Sequence, residues 1–503
     1  MHASLNLDPA ATIAPVRPRT FGSFVEHMGR GVYTGIYEPG HPAADEHGFR
    51  RDVLELVREQ GVTLIRYPGG NFVSGYRWED GVGPVEQRPT RLDPAWRTIE
   101  TNEFGLDEFM AWTRVAGVEP MMAVNLGTRG IAEALDLLEY ANHPRGTHLS
   151  DLRVAHGTAE PHAIRLWCLG NEMDGPWQLG HKTAAEYGRL AAETARAMRQ
   201  YDPGLELVAC GSSGRGMPTF GEWEETVLAH TYDLVDLVSA HAYYELAGDD
   251  EASFLASSAD MDAFVAEVAA TADKVGARLG SDKRIGISFD EWNVWYMGRV
   301  RDAAPDDWSV APRLSEDAYT VLDAVVVGSL LITLLRNSDR VHAACQAQLV
   351  NTIAAIRAEP GGPAWRQSIF HPFALTARHA TGQVLAARLD APTTDTAVHG
   401  TVPVLDTVAT WDAATGRLAV FAVNRHPGDD VELTVPLEAF GPAGVPRLSP
   451  ATELAAADRS ARNPPASPAR VVPHHHPRAR VADGVLRATL APASWSMFLV
   501  DVG

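Results

Sequence analysis

Eight short runs with β-strand character recur along most of the chain, and longer stretches with helical spacing separate them. The runs are FGSFVEH, VTLIRYPGG, VEPMMAVNLG, IRLWCLGNE, ELVACGSSG, VDLVSAHAYY, RIGISFDEWN and HAACQAQLVN. Between them, FRRDVLELVREQ, LDEFMAWTRVAG, IAEALDLLEYANH and AAEYGRLAAETARAMRQ repeat apolar residues at intervals of three and four. Strands that alternate with helices form a parallel sheet covered by helices. Eight such units are the number that closes a (β/α)8 TIM barrel of about 250 residues, extended here by insertions. A doubly wound open sheet is the structural alternative, but no GxGxxG turn is present to support it.

With 503 residues the chain exceeds one ordinary core, so a second domain is expected. After about Ala386 helical spacing stops, and LDTVATWDAATGRLAVFAVNR, VELTVPL and LRATLAPASWSMFLVDV alternate apolar and polar residues between turns. That is the pattern of an antiparallel β domain, to which the strand-like residues from Ala3 to Ile13 could add an edge. Arg459 to Arg480, rich in Pro, Ala, Arg and His, is expected to be a mobile loop within it.

Composition narrows the partners. A net charge of −21 with no basic stripe argues against nucleic acid, whose phosphates need clustered Lys and Arg. Three cysteines, Cys168, Cys210 and Cys345, form no CxxC pair, so neither a disulfide framework nor a structural zinc site is signalled. The N-terminus lacks a basic start followed by an apolar core, and a cytoplasmic location is expected. The most apolar later run, Val321 to Leu335, contains Asp323 and falls short of the roughly 20 residues a membrane span requires. It reads as a buried helix, and no membrane partner is expected.

In a TIM barrel the chemistry gathers at the C-terminal ends of the strands. Polar groups that end the runs here are Glu26, His27, Arg66, Asn71, Asn125, Asn171, Glu172, His241, Tyr243, Glu291, Asn293 and Gln348. Such a set suits a ligand with many hydroxyls. Glu172 ends the fourth run in LGNE and Glu291 ends the seventh in SFDEWN. Strands four and seven of a ring of eight face each other, and glycoside hydrolysis needs two carboxyl groups flanking the scissile bond. Asp290, placed on the other face by strand alternation, is read as structural. His241 and Tyr243 share a face and could orient a carboxylate, while Trp96, Trp177 and Trp295 could offer flat faces to sugar rings. PHHHP at 473–477 has no acidic partners, and neither a metal nor a cofactor is expected.

RYPGGNFVSGYRWEDGVGP, WCLGNEMDGPWQLGH, SAHAYY and ISFDEWNVWY closely resemble glycoside hydrolase family 51, the α-L-arabinofuranosidases. The resemblance runs from about Phe21 through HPFALTARH and more weakly to the C-terminus. It implies a barrel over residues 17–385, a β-sandwich over 386–503, and an N-terminal strand in 1–16 that joins the sandwich. It further implies Glu172 as general acid/base and Glu291 as nucleophile of a retaining double displacement. Glu26, Asn71, Asn171, Tyr243 and Gln348 match positions that hold arabinose hydroxyls or the nucleophile, and Trp96 and Trp295 match aromatic positions lining the site. Arg66 and His241 complete the expected substrate-binding set. The implied substrate is an arabinose-containing oligosaccharide from arabinan or arabinoxylan, cleaved at its non-reducing end by a homo-oligomer, often a hexamer. A β-xylosidase or endoglucanase on the same barrel is the alternative reading. IAAI at 353–356 departs from the family by having Ala355 where a Pro is expected. Residues 294–313 and the loop after Tyr244 are where substrate size is expected to be set.

Overall fold

A computed structural model of the chain describes residues 1–299, 307–440 and 446–502. Each of the eight strand-like runs supplies one strand of a closed parallel barrel: β1 (Gly22–Phe24), β2 (Leu64–Tyr67), β3 (Glu119–Val124), β4 (Leu166–Leu169), β5 (Glu206–Ala209), β6 (Leu237–Tyr244), β7 (Gly286–Val294) and β8 (Val341–Gln346). They pair in chain order, and β8 returns to β1 through Cys345 opposite Gly22 and Gln346 opposite Ser23. Alternate residues fill the barrel, among them Phe24, Leu64, Met121, Leu166, Cys168 and Cys345, while Ile65, Met122, Trp167 and Leu207 face the surrounding helices. Burial on both faces explains why these runs are almost continuously apolar.

Beyond the barrel, two sheets pack face to face. The larger runs in the order Thr12–Pro15, Gln383–Leu385, Leu405–Asp412, Arg417–Asn424, Ser494–Asp501, Arg447–Leu454 and His474–His475. The smaller runs Arg388–Asp390, His2–Asn6, Val431–Pro436, Val485–Leu490 and Ala479–Ala482. The N-terminus therefore contributes two strands, one to each sheet, and His2–Asn6 lies inside its sheet, parallel to Val431–Pro436. Leu418, Val420 and Ala422 point into the core between the sheets, whereas Ala419, Phe421 and Val423 point back to the barrel. These central strands are covered on both faces, which their half-polar reading did not anticipate.

The cover on the barrel side is the helix Val321–Arg336, whose residues from Val321 to Leu335 are all buried, as its sequence suggested. It packs against strands Leu405–Asp412, Arg417–Asn424 and Ser494–Asp501 and against helices Ser257–Leu279 and Phe370–His379. A helix enclosed on every side is apolar all round. Asp323 is present because it caps: it accepts the backbone N–H of Thr320 at 2.7 Å and the Tyr296 hydroxyl at 2.7 Å. Across the same seam Asp406 receives Ser329 Oγ at 2.6 Å and Arg336 at 2.7 Å, with Arg425 2.6 Å away. Burial opposes its ionisation, but the two guanidinium groups outweigh that and hold it well below the usual carboxylate range.

The Pro-rich stretch 459–480 is not a loose loop. Arg459 and Ala461 accept backbone N–H bonds from the start of the buried helix, and Trp365 Nε1 donates to Asn463 at 2.9 Å. His476 is buried against Phe498, where burial pushes its pKa down to about 4. Local pattern carries no sign of this because the anchors, Trp365 and the start of the buried helix, are distant in sequence.

Gly328 in the buried helix sits under Trp495, where an added Cβ would come within 2.2 Å of the indole. Helix propensity alone favours Gly328→Ala by about 1 kcal/mol. Overpacking costs about 1–3 kcal/mol and wins here. The substitution is therefore expected to lower the melting temperature in a thermal melt; a rise would show that the seam yields freely.

Candidate active site

Strict alternation along a strand would allow only one of two neighbouring residues to face the barrel mouth. Two local departures overcome this. In β4, Leu166 and Cys168 point inward and Trp167 and Leu169 outward. The chain then turns through Gly170 at φ 92° and Glu172 at φ 45°, the left-handed region that glycine enters freely and glutamate at a cost of about 1–3 kcal/mol. Glu172 reaches the cleft, and Asn171 beside it turns inward to meet Arg66.

In β7, Phe289 packs on Phe264 and Trp292 stacks on Phe373, so both face the outer helices. Between them lie two residues, because the pairing with β8 shifts register between Phe289 and Trp292. Asp290 and Glu291 consequently both turn inward and both meet Arg66, at 3.6 and 2.8 Å. This corrects the expectation that Asp290 faces away from Glu291. A bulge adds one residue and re-aims its side chain.

Glu172 and Glu291 face each other across the mouth. Arg66 Nη1 donates to Glu291 Oε1 at 2.8 Å and the Tyr243 hydroxyl donates to Oε2 at 2.6 Å. His241 Nδ1 lies 2.9 Å from Glu172 Oε1 and 3.7 Å from Glu291 Oε2, and Trp177 Nε1 donates to Glu172 Oε2 at 2.7 Å. One ligand atom from each of Glu172, His241 and Glu291 lies within 4.8 Å of the others. Three such groups could hold a cation, but the Arg66 guanidinium already supplies fixed positive charge at Glu291. Burial raises the pKa of Glu291, and His241, Arg66 and the Tyr243 hydroxyl outweigh it, so that Glu291 stays below the usual carboxylate value. Burial lowers the pKa of His241, but the charge of Glu291 and the contact with Glu172 raise it overall.

Glu26, from the end of β1, forms the floor beside this pair. It accepts the Phe72 backbone N–H at 2.9 Å, Trp96 Nε1 at 2.8 Å and Gln348 Nε2 at 3.1 Å. Burial, helped by the charge of Glu291, pushes its pKa up to about 8 despite the Phe72 and Trp96 donors. The PGG of β2 exists for this side chain: a Cβ on Gly69 would come within 2.5 Å of Glu26 Cγ, and one on Gly70 within 2.6 Å of Oε2. Asn71 and Trp295 line the same cleft, and Trp295 packs edge-on against Tyr243 at 4.8 Å. Asn171 Oδ1 accepts from Arg66 at 2.6 Å.

Other strand-end groups have different work. Asn125 closes its own turn by bonding Gly127, Thr128 and Tyr76. His27 lies beneath the floor, between Glu100 at 2.8 Å and Tyr67 at 2.9 Å, stacked on Phe72. Asn293 ties down the segment after β8 by donating to Ala347 and Ile353. At the departure Ala355, the chain is held by Gln367, whose backbone N–H donates to Ala355 O at 2.8 Å and whose side chain donates to Ala354 O at 2.8 Å.

The cleft has a volume of about 760 Å³. Its lining also includes Phe24, Phe220, Arg215, Asp260 and Glu267, which sequence reasoning missed. Asp260 and Glu267 belong to the helix Ser257–Leu279, well beyond the end of β6, and no strand-end signal marks them. Of the stretch 294–313, Met297 reaches the cleft, while 300–306 lie outside the described residues.

Two family models match the chain: the alpha-L-arabinofuranosidase 1 domain over residues 56–251 and the alpha-L-arabinofuranosidase C-terminal domain over 290–494. A solved family 51 alpha-L-arabinofuranosidase from Bifidobacterium longum superposes with a TM-score of 0.94 at 50% identity, covering 99% of both chains. The chain belongs to glycoside hydrolase family 51. Among similar proteins, an intracellular exo-alpha-(1->5)-L-arabinofuranosidase of Streptomyces lividans is 61% identical over 98% of this chain and 74% of its own length. An exo-alpha-(1->6)-L-arabinofuranosidase of Bifidobacterium longum is 55% identical over 98% of this chain and 96% of its own. Among the described residues of this family 51 glycosidase, no helix is long and apolar enough to cross a membrane.

Gly70→Ala should displace the Glu26 carboxylate while leaving the barrel intact. The expected result in steady-state kinetics is a raised KM with a melting temperature close to that of the parent. An unchanged KM would remove Glu26 from the substrate's contacts.

Proposed function

We propose that the protein is a retaining, exo-acting α-L-arabinofuranosidase that releases terminal arabinofuranosyl residues from arabinan- and arabinoxylan-derived oligosaccharides. The observation that carries this reading is the approach of Glu172 and Glu291, oxygen atoms of which lie within 4.8 Å. Retaining glycosidases hold their carboxyl groups about 5–5.5 Å apart, and inverting ones about 6.5–9.5 Å apart to admit a water. The spacing here favours direct attack by a carboxylate.

In the first step Glu172 gives its proton to the glycosidic oxygen, the bond from that oxygen to the anomeric carbon breaks, and Glu291 bonds to that carbon. In the second, Glu172 takes a proton from water, whose oxygen displaces Glu291 and frees arabinose. Arg66, His241 and Tyr243 suit Glu291 to attack because all three favour its charged form. On Glu172, Oε1 meets the buried His241 and Oε2 accepts from the half-exposed Trp177, so proton delivery is assigned to Oε2, the oxygen whose partner has room to move aside. Glu26, Asn71, Asn171 and Gln348 are the proposed hydroxyl binders. Asn171 Nδ2 and Gln348 Oε1 are buried without a protein partner among the described residues, which a sugar hydroxyl would supply. Trp96 and Trp295 border the ring. The same reading includes a homo-oligomer acting inside the cell, which light scattering and fractionation would report.

Glu172→Ala should lower kcat by about 10²–10⁴-fold on oligosaccharides, whose leaving group needs protonation. On an arabinofuranoside with a good leaving group the first step should survive and the second stall. Azide is then expected to restore turnover by displacing Glu291 from the covalent intermediate and to give the α-configured azide, the configuration of the substrate, identified by NMR. A β azide would exchange or remove the two roles. Comparable or faster turnover of a chromogenic xyloside by the parent enzyme would instead favour the β-xylosidase alternative.

A second test uses pH. Tyr243→Phe removes a hydrogen bond that lowers the pKa of Glu291. The ionised form, which attacks, then requires a higher pH. The acid limb of the kcat/KM profile should move to higher pH while the alkaline limb stays in place. An acid limb that does not move would show that Glu291 is not the group reporting there.

A further inference from the structure

Proton delivery from Glu172 fixes which side of the cleft receives the leaving group. Glu26, Asn71 and Gln348 come from the ends of β1, β2 and β8 and take the arabinose ring in the reading above, on which this inference rests. The leaving group must therefore lie on the other side of Glu172, toward the segments that follow β5 and β6.

That wall is built with care. Asp174, two residues beyond Glu172, accepts the backbone N–H and the hydroxyl of Ser213 at 3.0 and 3.1 Å, and so fastens the segment after β5 to the acid/base turn. Two residues later, Arg215 donates through Nη1 to Asp260 at 2.8 Å and through Nε and Nη2 to Glu267 at 3.1 and 2.7 Å. The Tyr244 hydroxyl, at the end of β6, holds the other oxygen of Asp260 at 3.1 Å. Arg215, Asp260 and Glu267 all line the cleft. With three of its nitrogens committed to two carboxylates, the guanidinium is fixed in place and its charge is more than cancelled. The result is a rigid polar plate with one net negative charge, still able to exchange hydrogen bonds with hydroxyls.

We propose that the Arg215–Asp260–Glu267 triad is the leaving-group wall of the cleft, recognising uncharged sugar units and disfavouring leaving groups that carry a carboxylate, such as uronic acids.

The test uses two aryl α-L-arabinofuranosides of similar shape, with 4-hydroxybenzamide and with 4-hydroxybenzoate as leaving group. At low salt the charge of the plate should raise the parent's preference for the amide in kcat/KM by about two- to five-fold over that set by the acidities of the two phenols, as expected for one unit charge across several ångströms of wet cleft, and high salt should remove that excess. Glu267→Gln neutralises the plate and should lower the ratio by that factor, leaving the part set by the different acidities of the two phenols. Arg215→Gln leaves two carboxylates uncompensated and should widen it. The ratio is read within each variant, so a general loss of rate does not obscure it. Because Glu267 is about half exposed, Glu267→Gln is expected to fold even where Arg215→Gln does not. A ratio that is the same in parent and Glu267→Gln, or a parent that favours the benzoate, overturns the proposal. Failure of the parent to cleave the amide as well overturns the arabinofuranosidase reading and this proposal with it.

Discussion

The Arg66 guanidinium, 1% exposed at the barrel mouth, is the charge on which the site's geometry depends. Taking such an ion out of water costs several kcal/mol, recovered only if its donors meet well-placed acceptors. Arg66 reaches from β2 to Glu291 at 2.8 Å, to Asn171 at 2.6 Å and to Asp290 at 3.6 Å. It thereby ties the turn after β4 to the bulge in β7. Both irregularities aim a carboxylate at the cleft, and both are held by one cation from below. The arrangement also sets charge, since Arg66 and His241 offset the burial that would otherwise favour a protonated Glu291.

His241 links the two carboxylates from above. Its Nδ1 is close to both, and its raised pKa reflects both. The imidazole therefore senses a change in either group. In the proposed double displacement, a covalent bond to Glu291 would remove that group's negative charge and so weaken the hold on a His241 proton. In that reading, the charge of one carboxylate is felt at the other because three side chains share one small volume.

The barrel was legible because its period is local: apolar runs of strand length alternate with helical spacing, and no long-range contact is needed to see them. The polar residues at the strand ends were legible for the same reason, and Glu26, Asn71, Glu172, His241, Tyr243, Glu291 and Gln348 do converge on one cleft. What local pattern could not provide was direction. Asp290 turns inward because of a register shift with β8, a property of the neighbouring strand. Asn125, His27 and Asn293 have the right residue type in the right place but spend their hydrogen bonds on turns, floor and loop. Asp260 and Glu267 reach the cleft from a helix whose approach only the closed barrel determines. The stretch 459–480 read as loose because its partners, Trp365 and the buried helix, are distant in sequence.

The two C-terminal sheets contribute no lining residue to the cleft among the described residues, yet they bear on it through the buried helix. Its cap Asp323 receives the hydroxyl of Tyr296, just past the end of β7, and Tyr319, immediately before the helix, donates to Val294 O in β7 at 2.8 Å. The end of the strand that carries Glu291 is therefore fastened to a helix enclosed by the larger sheet. Covering that helix on both sides removes its freedom to rock, and an interior packed at crystal-like density transmits rather than absorbs small shifts. The sheets act on the site by fixing the base from which Glu291 projects. This accounts for apolar residues on both faces of strand Arg417–Asn424, where a sheet serving only as a solvated appendage would need them on one.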